Sequence, residues 1–181
     1  MSGAVLATER LQLREMTDQD IGWLADMLGD PETLVHWERP LTRDQSQAWI
    51  DRNRALYARD DYGLWAVTLR GGEPLGDCGL WRRLIEYEWE VELGYHFARR
   101  HWGNGYATEA AAACLEFARE RGIDRVVALI LPASDRSIRV AERVGMTPGR
   151  TVQHAGRPHV LWETAPPARS ESSGRASVQP G

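Results

Sequence analysis

RRHWGNGYATEA, running from Arg99 to Ala110, sets two glycines two apart just ahead of a strong helix-forming run. Gly103 and Gly105 can take backbone angles that residues with side chains resist, so successive amide N–H groups can converge on one point. The pattern predicts a helix opening near Ala107, whose first turn adds unsatisfied N–H groups and the positive end of the helix dipole. The stretch therefore reads as an anion cradle suited to a phosphate or pyrophosphate.

Two familiar phosphate loops do not fit it. A Walker loop needs GxxxxGK followed by Ser or Thr, and the 22 cationic residues of this chain are all Arg. A dinucleotide fingerprint needs a third glycine three residues after the second, where this chain has Thr108. What remains is Arg100-x-x-Gly103-x-Gly105-Tyr106-Ala107, preceded by the strand-like EVELGYHF of Glu90–Phe97.

That order of strand, loop and helix resembles the acetyl-coenzyme A site of the GNAT acyltransferase superfamily. The likeness extends to Glu92-Leu93-Gly94-Tyr95, to Trp102–Ala110, and to Ser137-Ile-Arg-Val-Ala-Glu-Arg-Val-Gly-Met146. With TERLQLREMTDQD near the N-terminus and PLTRDQSQAWI at Pro40–Ile50, it is similar to the RimJ/RimL branch from about Thr8 to Glu163. The resemblance implies an α+β (mixed α/β) domain over residues 1–164. Its central sheet would be twisted, mixed and mostly antiparallel, with six to seven strands flanked by about four helices. It also implies a bacterial, cytoplasmic N-acetyltransferase that moves an acetyl group from acetyl-coenzyme A to a primary amine, with a homodimer possible by analogy.

Composition agrees with these implications. A chain of 181 residues suits one domain with a core of its own, without disulfides or metals. A net charge of −4 with scattered Arg offers no basic stripe for nucleic acid. Cys78 and Cys114 lie in apolar contexts without CxxC spacing and read as buried free thiols in a reducing compartment. No apolar run approaches the roughly 18 residues of a membrane span, and the N-terminus lacks a signal-peptide pattern.

Periodicity divides the chain further. Leu11 and Leu13 alternate with polar residues as a first strand. Thr17 with Asp20, and Thr42 with Gln45, read as capping boxes. The first opens a helix burying Ile21, Leu24 and Leu28; the second opens a helix reaching Arg59, with Trp49, Ile50 and Leu56 inward. Strands are expected at 62–69, 75–83, 89–97, 126–131, 147–152 and 159–164, and helices at 107–121 and from a Ser134 cap to Gly145. The segment 165–181, rich in Pro, Ser and Gly, is expected to be disordered.

Acetyl transfer asks for three groups. A carboxylate of raised pKa takes the ammonium proton, a backbone N–H stabilises negative charge on the carbonyl oxygen, and a hydroxyl or water protonates the departing sulfur. The resemblance makes Glu92 the candidate base, through water, against the plain alternative of a solvated strand carboxylate. Glu90 shares its face and ranks below it. The resemblance also implies a gap between this strand and its parallel neighbour, with main-chain contacts to the pantetheine arm from Phe97 and Ala98. Arg99, Arg100, Gly103, Asn104, Gly105, Tyr106 and Ala107 would surround the pyrophosphate. His96 reads as a packing residue rather than a catalyst.

The second cofactor block departs from the superfamily pattern twice. Ala141 stands where many members have a Tyr that protonates the thiolate, so that role moves to Ser137, Ser134 or water. Ser134 replaces the usual Asn and keeps only a hydroxyl for the cofactor. Ser137 is equally a helix hydroxyl bonded to backbone, and Arg139 and Arg143 either meet phosphates or face solvent. On the acceptor side, Trp37 and Glu38 would seat the amine, with Glu86 and Glu88 adding negative potential. Trp37 is also readable as a core plug. Two readings from other classes stand beside the enzyme: a non-catalytic acyl-coenzyme A binding or regulatory module, and a scaffold that holds a structural anion.

Overall fold

A computed structural model describes residues 3–34 and 39–165. Trp37 and Glu38, and the expected disordered tail beyond Ala165, lie outside the described residues. Eight strands make one sheet: β1 Ala4–Ala7, β2 Leu11–Arg14, β3 Leu64–Leu69, β4 Pro74–Ile85, β5 Glu88–Phe97, β6 Val126–Ile130, β7 Thr147–His154 and β8 Arg157–Glu163. Their order is β1-β2-β3-β4-β5-β6-β8-β7, and every pairing is antiparallel except β5 with β6.

The count exceeds the expected six to seven because AVLA at Ala4–Ala7 forms an edge strand. It is mostly exposed and paired in shifted register, so neither alternation nor length announced it. Among the described residues four α-helices complete the fold: α1 Ile21–Leu28, α2 Arg43–Asp60, α3 Tyr106–Glu120 and α4 Asp135–Arg143.

Both capping boxes form. The first opens a single 3-10 turn, Asp18–Asp20, that runs into α1. At the second, Thr42 Oγ1 accepts from Gln45 N at 3.3 Å while Gln45 Oε1 accepts from Thr42 N at 2.9 Å. Helix α2 ends at Asp61 with φ of 64°, and α3 is followed by Gly122 at 71°.

The sheet separates two cores. On the α3 side Leu11, Leu13, Trp65, Leu80, Leu93, Cys114, Phe117 and Val126 pack together, with Trp65 edge-on to Phe117 at 5.0 Å. On the α1–α2 side Met16, Leu24, Leu28, Ile50, Leu64 and Trp81 do the same. Two buried polar residues fasten α2 to β3. Asn53 accepts from Leu64 N at 2.8 Å and donates to the Trp49 carbonyl at 2.9 Å, while Tyr57 donates to the Leu64 carbonyl. Cys78 and Cys114 are buried thiols with sulfurs 3.6 Å apart between β4 and α3, and burial pushes the Cys78 thiol up.

The feature that positions the site is the end of the β5–β6 pairing. These strands match at Val91–Val126 and Glu92–Val127, yet β5 runs on to Phe97. Beyond Glu92 the sheet opens into a gap.

Candidate active site

One side of the gap is built from main chain. Gly103 and Gly105 sit at φ of 81° and 79°, and α3 begins at Tyr106, one residue before the expected Ala107. Their left-handed angles turn successive amides toward the helix N-terminus, a cradle of the shape and sign a pyrophosphate needs. The Asn104 side chain braces this turn by donating to the carbonyls of His101 at 3.1 Å and Trp102 at 3.3 Å.

Arg10, which no sequence pattern singled out, holds the loop from behind. It donates to the Asn104 carbonyl at 3.0 Å and to Glu109 Oε2 at 2.6 Å, and lies over the Tyr106 ring at 4.8 Å. Ala107 follows in the first helical turn. Arg100 is exposed at the loop, whereas Arg99 turns back to pair with Glu32. Arg136 of α4 lies over Trp102 at 4.1 Å and brings another cation to the loop.

The strand edge narrows one expected contact. Ala98 N–H bonds the Leu75 carbonyl at 3.0 Å, and the Ala98 carbonyl accepts from His101 N at 2.8 Å. Its N–H is therefore committed to β4 and its carbonyl already accepts one bond, which leaves a pantetheine arm at most the second lone pair of that carbonyl. Antiparallel ladders alternate, so with Ala98 facing β4 the main chains of Phe97, Tyr95 and Leu93 turn the other way, into the gap. The Phe97 carbonyl already takes the Trp102 indole N–H at 2.7 Å. Phe97 N–H and the Tyr95 main chain are the groups presented to a substitute strand.

Across the gap, Ser134 stands before α4 but does not cap it. Its φ and ψ of −92° and 68° are outside the capping region, and its hydroxyl donates to Ser137 Oγ at 2.9 Å. The Ser137 carbonyl accepts from the Tyr95 hydroxyl at 3.0 Å, tying α4 to β5. Burial raises the Tyr95 phenol, keeping it protonated as a donor. Ala141 is fully buried.

The opposite face of β5, toward α2, carries a different assembly. Residues 91, 93, 95 and 97 face the α3 core, so Glu90, Glu92, Gly94 and His96 face α2. Glu92 is buried at 6% exposure; its Oε2 accepts from the Trp81 indole at 2.6 Å and pairs with Arg83 Nε at 2.5 Å. Burial raises the Glu92 carboxyl above its ordinary value, against the opposing pull of Arg83 and Trp81. Glu90 pairs with Arg125.

Five residues in this assembly, Arg52, Asp77, Trp81, Arg83 and His154, escaped sequence reasoning. Asp77 of β4 lies opposite His96, its Oδ1 2.7 Å from His96 Nδ1 and its Oδ2 2.9 Å from Trp49 Nε1. Arg52 of α2 stacks over the rings of Trp49 at 4.5 Å and Trp81 at 4.6 Å. His154 of β7 meets Arg83 at 2.8 Å. Only Asp77 left a trace in the sequence, as an acid inside the otherwise apolar strand LGDCGLW. Glu86 and Glu88, expected to add negative potential, pair instead with Arg150 of β7.

The chain matches the acetyltransferase (GNAT) domain family over residues 10–147 and belongs to that family. It is an acetyl-coenzyme A dependent N-acyltransferase that delivers acetyl groups to an amine. It is 40% identical over 161 residues to the uncharacterized protein YkkB of Bacillus subtilis, spanning 87% of this chain and 94% of that one. It is similar to the crystal structure of an acetyltransferase from Agrobacterium tumefaciens, with 26% identity and a TM-score of 0.78 over 91% of this chain and 96% of that one. With the ribosomal L7/L12 alpha-N-protein acetyltransferase RimL, solved in complex with coenzyme A, it shares the fold: TM-score 0.74, 17% identity, 89% and 97% coverage. Among the described residues no helix is long and apolar enough to cross a membrane.

Proposed function

We propose that this chain is a RimJ/RimL-like enzyme acetylating the primary amine of a protein N-terminus or a small molecule, by direct attack while both substrates are bound. The observation that carries this reading is the gap after Glu92. It opens beside the positive-φ loop at Gly103 and Gly105, with a buried carboxylate on the sheet face opposite α3. An extended pantetheine arm in that gap would pair with the main chain of Tyr95 and Phe97. The loop amides with Arg100 and Arg136 would hold the pyrophosphate, and Gly103, Asn104, Gly105, Tyr106 and Ala107 shape that seat.

The residues then divide the chemistry. Glu92, its carboxyl raised by burial, takes the ammonium proton through water at Oε1, since Oε2 already receives Trp81 and Arg83. Ser137, oriented by the Ser134 hydroxyl, protonates the departing sulfur in place of the tyrosine that Ala141 excludes. Trp37 and Glu38, outside the described residues, are assigned to the amine on the sequence resemblance alone. A homodimer in the cytoplasm belongs to the same reading.

Thiol release across a panel of amines, with wild type and Glu92→Gln, tests it. Turnover by wild type and its loss in the variant, at unchanged acetyl-coenzyme A affinity, supports the assignment. Tight acetyl-coenzyme A binding with no turnover on any amine would instead make this chain a binding or regulatory module.

A further inference from the structure

The Arg52 guanidinium lies on the α2 face of β5 with Glu92, and no step above uses it. It stands over the Trp49 ring at 4.5 Å and the Trp81 ring at 4.6 Å, and the two indoles meet edge to face at 5.9 Å. The rings hold the planar fork of its donors in place while the residue stays exposed to solvent.

Among the described residues no carboxylate lies within ion-pairing distance of Arg52, although Asp77 and Glu92 act on it from further away. Both acids are already engaged. Glu92 Oε2 pairs with Arg83 Nε at 2.5 Å, and Asp77 is sealed at 0% exposure between the Trp49 indole and His96. On the same strands Glu90 pairs with Arg125, and Glu88 lies by Arg150. Partial burial, and after it the Arg83 charge, lower the hold of Arg52 on its proton, against the opposing pull of Asp77 and Glu92. The charge left without a counter-ion here is therefore positive, and it sits at Arg52.

Its place relative to Glu92 gives that charge a use. The Trp81 indole N–H donates to Glu92 Oε2 at 2.6 Å, so the carboxylate marks the edge of the ring whose face carries Arg52. An acceptor nitrogen held one water from Glu92 has the guanidinium as its neighbour across one indole. A second ammonium there would meet like charge, and a neutral amide would leave the fork without an ion. A carboxylate beside the amine would instead take two parallel N–H···O bonds from it.

We propose that Arg52 binds a carboxylate carried next to the acceptor amine, so that this enzyme acetylates a free amino acid or a close amino-acid analogue rather than a protein N-terminus. The inference rests on the acetyl-transfer reading and narrows its acceptor. A protein N-terminus carries a neutral peptide carbonyl where the free amino acid carries its charge. Arg83 holds Glu92, and Arg52 holds the substrate.

Thiol release with free L-amino acids and with the matching amino-acid amides tests this, for wild type, Arg52→Gln, Arg52→Lys and Arg54→Gln. Arg54 lies on the same helix, paired with Asp18 at the surface, and serves as the control. Calorimetric affinity for acetyl-coenzyme A shows that each variant is folded. Arg52→Gln is expected to raise KM for the amino acid about 10- to 100-fold and to leave the amide within about twofold, as loss of a charge-assisted pair of bonds should. Reading each acceptor as a ratio between enzymes cancels the difference in basicity between the two amines. Arg52→Lys should recover part of the loss, since it keeps the charge without the fork, and Arg54→Gln should change neither acceptor. A wild type that acetylates amides or peptides and no free amino acid overturns the inference and leaves acetyl transfer standing. So does an equal loss on acid and amide in Arg52→Gln, the mark of a guanidinium that only packs α2 onto the indoles. Binding of acetyl-coenzyme A without turnover on any amine overturns the reading and the inference together.

Discussion

The two sides of the β5 gap are made of different material. The side proposed for the donor is main chain: two left-handed glycines, the first turn of α3 and the open edge of β5, all within residues 93–107. The side proposed for the acceptor is side chains: Trp49 and Arg52 from α2, Asp77, Trp81 and Arg83 from β4, Glu92 and His96 from β5, and His154 from β7. A diphosphate is recognised by amide geometry, which any sequence able to make the turn will supply. An amine and its proton need charge at particular points, which only assembled side chains provide. The donor half is therefore local in the chain and the acceptor half is not.

The sharpest way to break this comparison is a lesion on one side that spares the other. Glu92→Gln should lower kcat/KM by about 10²-fold, with acetyl-coenzyme A affinity held within about twofold, because only the α2 face changes. Paired titration and steady-state kinetics check it, and a matching loss of cofactor affinity would show that the two sides are not separable.

Next in size is the support of the acceptor wall. Asn53→Ala removes the buried bond from Leu64 N that ties α2 to β3, together with the bond to the Trp49 carbonyl within α2, and should cost about 2 kcal/mol of stability. Denaturant unfolding measures that loss. Because Trp49 and Arg52 ride on α2, the Michaelis constant for the amine should rise more than that for acetyl-coenzyme A.

The complementary lesion falls on the donor side. Gly105→Ala forces a side chain onto φ of 79°, about 1–2 kcal/mol of strain, and should weaken acetyl-coenzyme A binding about tenfold while kcat at saturation is kept. Calorimetry reads this directly. Retained affinity would mean that the loop amides do not carry the pyrophosphate. The smallest effect is expected from Ser134→Ala, which deletes one hydroxyl donor to Ser137. About 0.5–1 kcal/mol is at stake, visible as a two- to fivefold fall in kcat with thiol release as the readout.

Legibility followed the range over which each signal acts. Both capping boxes were readable because they span four residues, and the β3–β4 hairpin because its turn glycines sit between alternating runs. Strand β1 was not, since AVLA becomes a strand only by pairing with β2 at the sheet edge. Ala98 looked like a pantetheine contact by position, but which β5 residues face β4 depends on register. That register commits its N–H to Leu75. Ser134 had the residue type of a cap without the backbone angles. Glu86 and Glu88 looked like free charge until β7 brought Arg150 to them.

His96 shows the same limit most clearly. In EVELGYHF it is one polar residue near a tight loop, and packing is its plainest reading. Its place in the buried assembly comes from Asp77, 19 residues earlier, through the antiparallel register that sets the two opposite each other at 2.7 Å.

By itself the sequence determined the family, the order of most elements and the backbone shape of the Gly103–Gly105 loop, because glycine conformations, caps and strand alternation are set by neighbours within a few residues. Only the tertiary structure decided which side chains share the α2 face of β5, which main-chain groups open to the gap, and which acids are already paired. Those outcomes depend on strand register and helix packing, which join residues far apart in the chain and are governed by the burial of the whole core rather than by any local pattern.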